Sequence, residues 1–348
     1  MKTEYLTSNN RVAILLHEGC QGTGGKTGLS YLRYGSAPVV AVIDGQTAGK
    51  TLLEATGIDK NIPIVADLKS TLPYAPDVLL IGIAPSGGIL PDNWLLEIKE
   101  AIAAGLSIVN GLHSPIAPLF PVLKPEQWIW DIRQEPAGLR VGKARALELS
   151  CRRILTVGTD MSVGKMSTAI ELHRAANAAR IKSKFLATGQ GGIMIAGAGI
   201  PLDAVRVDYA AGAIEAMVLE AADHDLVFIE GQGSLLHPGS TATLPLMRGS
   251  QPTDLILVHR AGQIHVKDLP LIPIPPLKAV IELYETVAKA GGAFPGAKVR
   301  GISLNTFGLT LEEAQRAIDS VSQETGLFCS DVVRFGGGPL LRVFASSS

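Results

Sequence analysis

The residues of this chain whose types and spacing best suggest chemistry lie between Arg153 and Arg180, in RILTVGTDMSVGKMSTAIELHRAANAAR. A short apolar, β-branched run, Ile154–Val157, leads into a glycine-bearing loop that closes at Gly164. Lys165 then opens a long alanine-rich segment free of Gly and Pro. Strand, loop, lysine and helix in that order build a phosphate cradle. Loop N–H groups and a helix N-terminus converge on an anion, and the lysine adds a point charge. The usual spacing, G-x-x-x-x-G-K-[ST], is one residue shorter than the interval from Gly158 to Gly164. The position after the lysine, which in that pattern carries the hydroxyl for Mg²⁺, is Met166. Ser167 and Thr168 follow, so a hydroxyl is available only from another place on the helix.

A second group of side chains suits proton transfer. Glu230 ends the apolar run Leu226–Ile229 and precedes Gly231, Gln232 and Gly233. A carboxylate at a strand end beside glycines is a position for a functional acid, here a candidate general base. Asp208 precedes the helix-like run Tyr209–Ala222 and suits either a base or an N-cap. His237 stands before Pro238 in a loop, as a general base or as an incidental loop histidine. Arg206, Arg260 and Lys267 are cations available to clamp a carboxylate, though no motif singles them out. The remaining histidines have no metal-ligand spacing, and no metal site is expected from the protein's own ligands.

The elements needed to position these groups are legible as alternating strands and helices. In the first half, Val12–Leu16, Val39–Ile43, Ile62–Ala66, Val78–Ile83 and Leu106–Val109 read as strands buried on both faces. Thr27–Tyr34, Lys50–Thr56 and Trp94–Ala104 read as the helices between them. This βαβ order predicts a doubly wound, Rossmann-like domain with a parallel sheet. Two of its loops, Gly19–Thr27 and Gly45–Thr51, are glycine-rich with lysines, and serve either a phosphate or an ordinary turn. Asp44 ends the second strand where a ribose-binding acid would sit, and the loop Ala84–Gly88 follows another strand end. The proline-rich stretch Ser114–Pro136 breaks the alternation and marks the junction, with Trp128 and Trp130 docked on one domain. The domains are therefore 1–145, Rossmann-like, and 146–348, a P-loop NTPase-like α/β domain. Gly142–Ser150 reads as a helix leading into the central strand. Further on, Leu255–Val258 and Val299–Leu304 read as strands, the latter carrying Asn305 at its carboxyl end. Lys278–Ala290 and Leu311–Glu324 read as helices, Pro270–Pro276 as a rigid connector, and Ala345–Ser348 as a frayed tail.

Bulk properties narrow the class. The chain has 348 residues, enough for two domains, with 47% hydrophobic and 18% charged residues. A formal net charge of −1 argues against a general nucleic-acid binder. Cys20, Cys151 and Cys329 are scattered and form no CxxC pair, which suits a reducing compartment. No signal-peptide core and no membrane-length apolar run is present, so the expectation is a soluble, cytoplasmic protein with no membrane partner. An α/β enzyme of this size is expected to form a homo-oligomer.

The motifs also carry resemblances. The loop GTDMSVGKM is similar to that of dethiobiotin synthetases, GTDT-x-VGKT, which shares its glycine spacing. Glu230-Gly-Gln-Gly looks like their EGAGG stretch, in which the acid helps hold the metal. A longer resemblance runs through VVAVIDGQTAGKT, DVLLIGIAPSGG, GTDMSVGKM, Ala187–Glu215 and Ile229–Gly239. These segments together resemble a two-domain family of formerly unknown function, with a Rossmann-like domain followed by a P-loop domain. Part of that family is associated with N-acetylation of D-glutamate by acetyl-coenzyme A. The family usually reads GQTG where this chain has Gly189-Gln190-Gly191-Gly192.

The resemblance implies acetyl-CoA as co-substrate and an amino acid as acceptor. The cofactor-binding set would be Gly158, Thr159, Asp160, Ser162, Val163, Gly164, Lys165, Met166, Ser167, Gln190, Gly231 and Gln232. Glu230, Asp208 and His237 would be the candidate bases. The alternatives are a ligase or kinase of the dethiobiotin synthetase type using ATP with Mg²⁺, and a nucleotide sensor without turnover.

Overall fold

The computed structural model describes residues 5–83, 90–289 and 296–344. The loop Ala84–Gly88, Ala290 and the tail Ala345–Ser348 lie outside the described residues. The chain forms two compact units. Met1–Glu135 with Gln190–Ala204 make one, and Pro136–Gly189 with Val205–Ser348 make the other. The division therefore falls at Glu135, ahead of the boundary expected at 145, and a segment of the second half joins the first unit.

The first unit contains β1 (Val12–Leu15), α1 (Lys26–Tyr34), β2 (Val39–Ile43), α2 (Leu52–Thr56), β3 (Ile64–Val65), β4 (Val78–Ile81), α3 (Asp92–Ala104), β5 (Ser107–Asn110) and β6 (Ile129–Asp131). Among the described residues its sheet is all parallel in the order β3-β2-β1-β4-β5-β6, as the buried apolar runs require. Residues of β1 and β4 are wholly buried. Gly28 and Gly82 let α1 pack directly on the end of β4. The Gly28 amide donates to the Gly82 carbonyl at 2.8 Å, and a Cβ on Gly82 would stand 2.8 Å from the Gly28 Cα. The proline-rich junction was expected to be irregular, yet it contains β6, because Ile129–Asp131 lies beyond the last of the stretch's closely spaced prolines and pairs with β5. Trp128 and Trp130 are half-buried against the Tyr5 ring, at 5.5 and 5.4 Å between centroids. Asp44 sits at the strand end as predicted. Its carboxylate is buried and already accepts from the Thr47 hydroxyl at 2.6 Å and from the Glu18 and Gln46 amides.

The second unit contains β7 (Arg152–Gly158), α4 (Lys165–Ala178), β8 (Ser183–Leu186), α6 (Val207–Leu219), β9 (Leu226–Ile229), α7 (Thr243–Ser250), β10 (Asp254–Arg260), β11 (His265–Val266), β12 (Leu269–Pro273), α8 (Leu277–Lys289), β13 (Lys298–Asn305), α9 (Leu311–Thr325) and β14 (Cys329–Ser330). Between β8 and α6 the chain contributes α5 (Gln190–Ala196) to the first unit. Among the described residues the main sheet is parallel, ordered β14-β13-β10-β7-β9-β8. The order reverses between β7 and β10, which puts the loop after β7 at the switch point where open α/β sheets bind ligands. Helix α9 is closed by a capping box, Thr310 with Glu313, and by left-handed Gly326.

Two local expectations change. Gly142–Ser150 forms only a single 3₁₀ turn at Arg145–Glu148. The buried Glu215 carboxylate accepts the Lys143 and Arg145 amides at 2.9 and 2.8 Å, and Ala144 is left-handed at φ 57°, so this backbone is committed to a non-helical path. The prolines of Pro270–Pro276 do not give a bare connector. Leu269–Pro273 is β12, paired antiparallel with β11 in a two-stranded ribbon, a place where a sheet tolerates proline.

Candidate functional site

The loop after β7 is a left-handed, tightly held turn. Ser162 has φ 60° and Gly164 φ 121°, and Gly164 caps the fourteen-residue helix α4 that begins at Lys165. Lys165 is buried, and its Nζ donates to the Asp160 carbonyl at 2.7 Å, so the ammonium is aimed back into the loop. Its stem crosses the glycines. A Cβ on Gly158 would stand 3.0 Å from the Lys165 Nζ. One on Gly231 would lie 3.0 Å from its Cδ and only 1.7 Å from the Thr156 carbonyl oxygen. Any side chain at Gly231 would therefore displace strand backbone.

Neighbouring elements pin this loop. Tyr284 of α8, fully buried, donates its hydroxyl to the Gly158 carbonyl at 2.7 Å and accepts the Leu235 amide at 3.1 Å. Asn305, at the end of β13, donates to the Val163 carbonyl at 3.0 Å. Thr159 donates its amide to the Val258 carbonyl and shares a 2.9 Å hydrogen bond with Nδ1 of buried His259, whose pKa burial pulls down to about 4. Asp160 is 1% exposed. One carboxylate oxygen accepts the Met161 amide at 2.6 Å, and the other accepts Gln263 Nε2 at 2.6 Å and the Lys267 amide at 2.7 Å. Asp160 thus ties the loop to the segment that enters the β11–β12 ribbon.

Glu230 follows β9, which is hydrogen-bonded beside β7, and is 3% exposed. Its Oε2 accepts the Thr188 and Gly189 amides at 2.8 and 3.1 Å, and Thr188 returns its hydroxyl to the Glu230 carbonyl at 2.7 Å. Gln232 lies across Gly189, where an added Cβ would come within 2.5 Å of Gln232 Nε2. The fold therefore gathers Gly158–Lys165, Glu230, Gly231 and Gln232 at one edge of one sheet. Met166 and Ser167 occupy the first turn of α4, half-buried. The Thr168 hydroxyl is engaged with the Gly164 carbonyl at 3.1 Å and Ser303 Oγ at 2.8 Å.

Other predicted residues stand apart. Asp208 is not the N-cap of α6. Arg206 holds that position, without a side-chain cap, because the helix begins at Val207, and Asp208 is exposed in the first turn. Arg206 lies over the Tyr209 ring at 4.8 Å. His237 is half-buried, and its Nδ1 accepts the Gly239 amide at 3.1 Å within its own turn. Gln190 begins α5 in the first unit, where its side chain lies against Gly111. Arg260 and Lys267 are exposed. Sequence reading did not find Tyr284 or His259, since a tyrosine on an amphipathic helix and a lone histidine in a strand carry no local signal. No cluster of His, Cys, Asp or Glu suited to a metal ion occurs among the described residues.

A model described as a DUF1611_C P-loop domain of unknown function matches residues 140–341, and one described as a DUF1611_N Rossmann-like domain matches residues 45–135. The chain belongs to the DUF1611 family. A crystal structure of a DUF1611 family protein from Anabaena variabilis ATCC 29413 is 58% identical, with a TM-score of 0.94 over 97% of this chain and 100% of that one. Two curated relatives are named D-glutamate N-acetyltransferase. The protein from Pseudoalteromonas sp. is 37% identical over 262 residues, 74% of this chain and 78% of its own. That from Tritonibacter scottomollicae is 36% identical over 273 residues, 77% of this chain and 81% of its own. The succession of Rossmann-like and P-loop domains expected from the sequence is the succession this DUF1611 protein has.

Proposed function

We propose that this DUF1611 protein is an N-acetyltransferase that moves the acetyl group of acetyl-CoA to the amine of an amino acid such as D-glutamate. The observation that carries the reading is the 36–37% identity, over about three quarters of the chain, to relatives bearing that name. In the reaction the amine nitrogen attacks the thioester carbonyl carbon, the C–S bond breaks, and coenzyme A leaves as its thiol. The ammonium proton passes to a base. Such chemistry calls for hydrogen-bond donors facing the developing oxyanion, and glycine-loop amides are suited to that task.

The P-loop fits the phosphates of coenzyme A. A helix N-terminus, a left-handed loop and buried Lys165 form an anion cradle. The residue after the lysine is Met166, which offers no hydroxyl to Mg²⁺, and the nearby Thr168 hydroxyl is engaged by protein groups. This donor set favours a pyrophosphate held by amides and a lysine over Mg-ATP. Glu230, at the end of the strand beside the P-loop strand, is the leading candidate base; Asp208 and His237 are secondary.

Two measurements test the reading together. Thermal-shift titrations with acetyl-CoA, CoA, ATP–Mg²⁺ and GTP should give stabilisation by the CoA ligands, about 2.7 kcal/mol at a hundredfold excess over Kd. Acetyl-CoA with D-glutamate should then release free thiol. Stabilisation by ATP–Mg²⁺ without any by CoA would return the dethiobiotin synthetase-like reading. Binding without thiol release from any amino acid would leave a sensor.

A further inference from the structure

Arg133 lies just beyond β6, at the carboxyl edge of the first unit's sheet, where parallel sheets present their ligands. Its side chain is only 9% exposed. Nη1 donates to Asp203 Oδ2 at 2.6 Å and rests against the ring of His113. The Nε–H is buried and has no hydrogen-bond partner, and no bond to Nη2 is made among the described residues. Nε and Nη2 form the side of the guanidinium that grips a carboxylate with two parallel bonds. The same chain shows that grip elsewhere: Arg152 holds both oxygens of Asp254 through Nε and Nη2, at 3.1 and 3.0 Å. At Arg133 the Nε of that fork is buried and unpaired, while a half-exposed aspartate occupies the other nitrogen.

An unpaired buried guanidinium donor is costly, and proteins rarely keep one without a use. Burial works against the charge of Arg133, and Asp203 alone among the acids supports it. The surroundings are built. Asp131 is fixed by the Asn110 amide at 2.7 Å and by the Ile116 and Ala117 amides, which sets the strand end that carries Arg133. Gly111, at the end of β5, is covered by Met194 and Gln190 of α5. Asp203 comes from the turn that follows α5 in the first unit.

We infer that Arg133, with His113 beside it, is a carboxylate-binding site in the first unit, taking the carboxylate of a small organic acid or amino acid. The ligand's oxygens engage the unpaired Nε–Nη2 edge as neighbouring side chains make way, and Asp203 tunes affinity as a competing internal carboxylate. The carboxylate belongs either to the acceptor of the proposed reaction or to a separate acid that binds without being acetylated. The site itself does not depend on the acetyltransferase reading.

Isothermal titration of the full-length protein with D-glutamate, L-glutamate and glutarate, with glutaramide as the uncharged control, tests this. At least one of the acids should bind, and glutaramide should not. Arg133→Gln should weaken that binding by roughly tenfold or more, the scale of a charge-assisted pair. Asp203→Asn, which leaves the fork in place and removes its competitor, should tighten it severalfold. Failure of all three acids to bind, equal binding by Arg133→Gln, or unchanged or weaker binding by Asp203→Asn overturns the site. Should Arg133→Gln fail to fold, the Asp203→Asn result decides alone. Thiol-release kinetics then separate the two sources. A raised KM for the amino acid with unchanged KM for acetyl-CoA assigns the carboxylate to the acceptor, and lost binding without any KM change assigns it to a second acid. A protein that binds glutarate yet transfers no acetyl group keeps the site and rejects the reaction.

Discussion

At the scale of single residues, the cradle separates groups that touch a ligand from groups that shape the loop. Under the proposed function Lys165 is of the first kind, since its side chain passes beside Gly158 and Gly231 and its ammonium points into the loop. Lys165→Ala should therefore weaken CoA binding by about tenfold or more, a charge-assisted contact being worth roughly 1.5–3 kcal/mol. Helix α4 keeps its packing, so the apparent melting temperature without ligand should hold. An unchanged CoA affinity by titration would remove the loop from the binding site. Glu230 calls for a different comparison. Its Oε2 holds two backbone amides, a task the carbonyl of Gln can still perform, whereas Gln cannot take a proton. Glu230→Gln should lower kcat by about a hundredfold, the range of general base catalysis, with KM for acetyl-CoA little changed. A loss of stability with full activity per folded molecule would make it a purely structural acid. The sequence made both residues visible because each is embedded in a local pattern of strand, glycine and charge. It could not show that Asp208 stands exposed or that His237 closes its own turn, since those facts depend on where the helix starts and on backbone angles.

At the scale of elements, the P-loop is coupled to the ribbon of β11 and β12 through Asp160. One buried carboxylate oxygen receives both the Lys267 amide and Gln263 Nε2. Asp160→Ala removes the acceptor of both donors, and a broken buried bond of this kind costs about 1–3 kcal/mol. The Lys267 amide should then exchange its hydrogen about tenfold or more faster, and the loop should bind CoA more weakly. Exchange at Lys267 equal to wild type, read by NMR or mass spectrometry, would show the ribbon to be held by other contacts. The elements most legible in the sequence were the buried strands Val39–Ile43 and Leu226–Ile229, which end where the apolar runs end. Leu269–Pro273 and Ile129–Asp131 were obscured by proline, which marks a break in local preference but is compatible with an edge strand. The 3₁₀ turn at Arg145–Glu148 was read as a longer helix because Glu215, which fixes the preceding backbone, is distant in sequence.

At the scale of the whole molecule, the two units should respond differently to acid. His259, in the strand beside the P-loop strand, is held neutral by burial, with its pKa lowered from 6.5 to about 4. The unfolded chain protonates this imidazole first, so between about pH 6.5 and 4 the unfolded state binds more protons and stability falls as pH falls. Below about 4 both states are charged and the loss is complete. The shift corresponds to about 3 kcal/mol at about 1.4 kcal/mol per unit. His173, also lowered by burial and then by Lys184, His224 and Arg174, adds in the same direction within the same unit. In the first unit, burial tends to raise the Asp44 pKa, but hydrogen bonds from Thr47, Cys20, Glu18 and Gln46 outweigh it, and the net shift is downward. That stabilisation is present above the ordinary carboxylate range and is lost only below about pH 4. Acidification from pH 7 to pH 4.5 should therefore destabilise β7 and β10 while leaving β1 and β4 nearly unchanged. Pulsed hydrogen exchange along a urea series, read by mass spectrometry, follows the units separately. His259→Gln should remove most of the acid sensitivity of the second unit and leave the smaller contribution of His173. An equal shift of both units, or an acid response unaltered in His259→Gln, would place the sensitive group elsewhere.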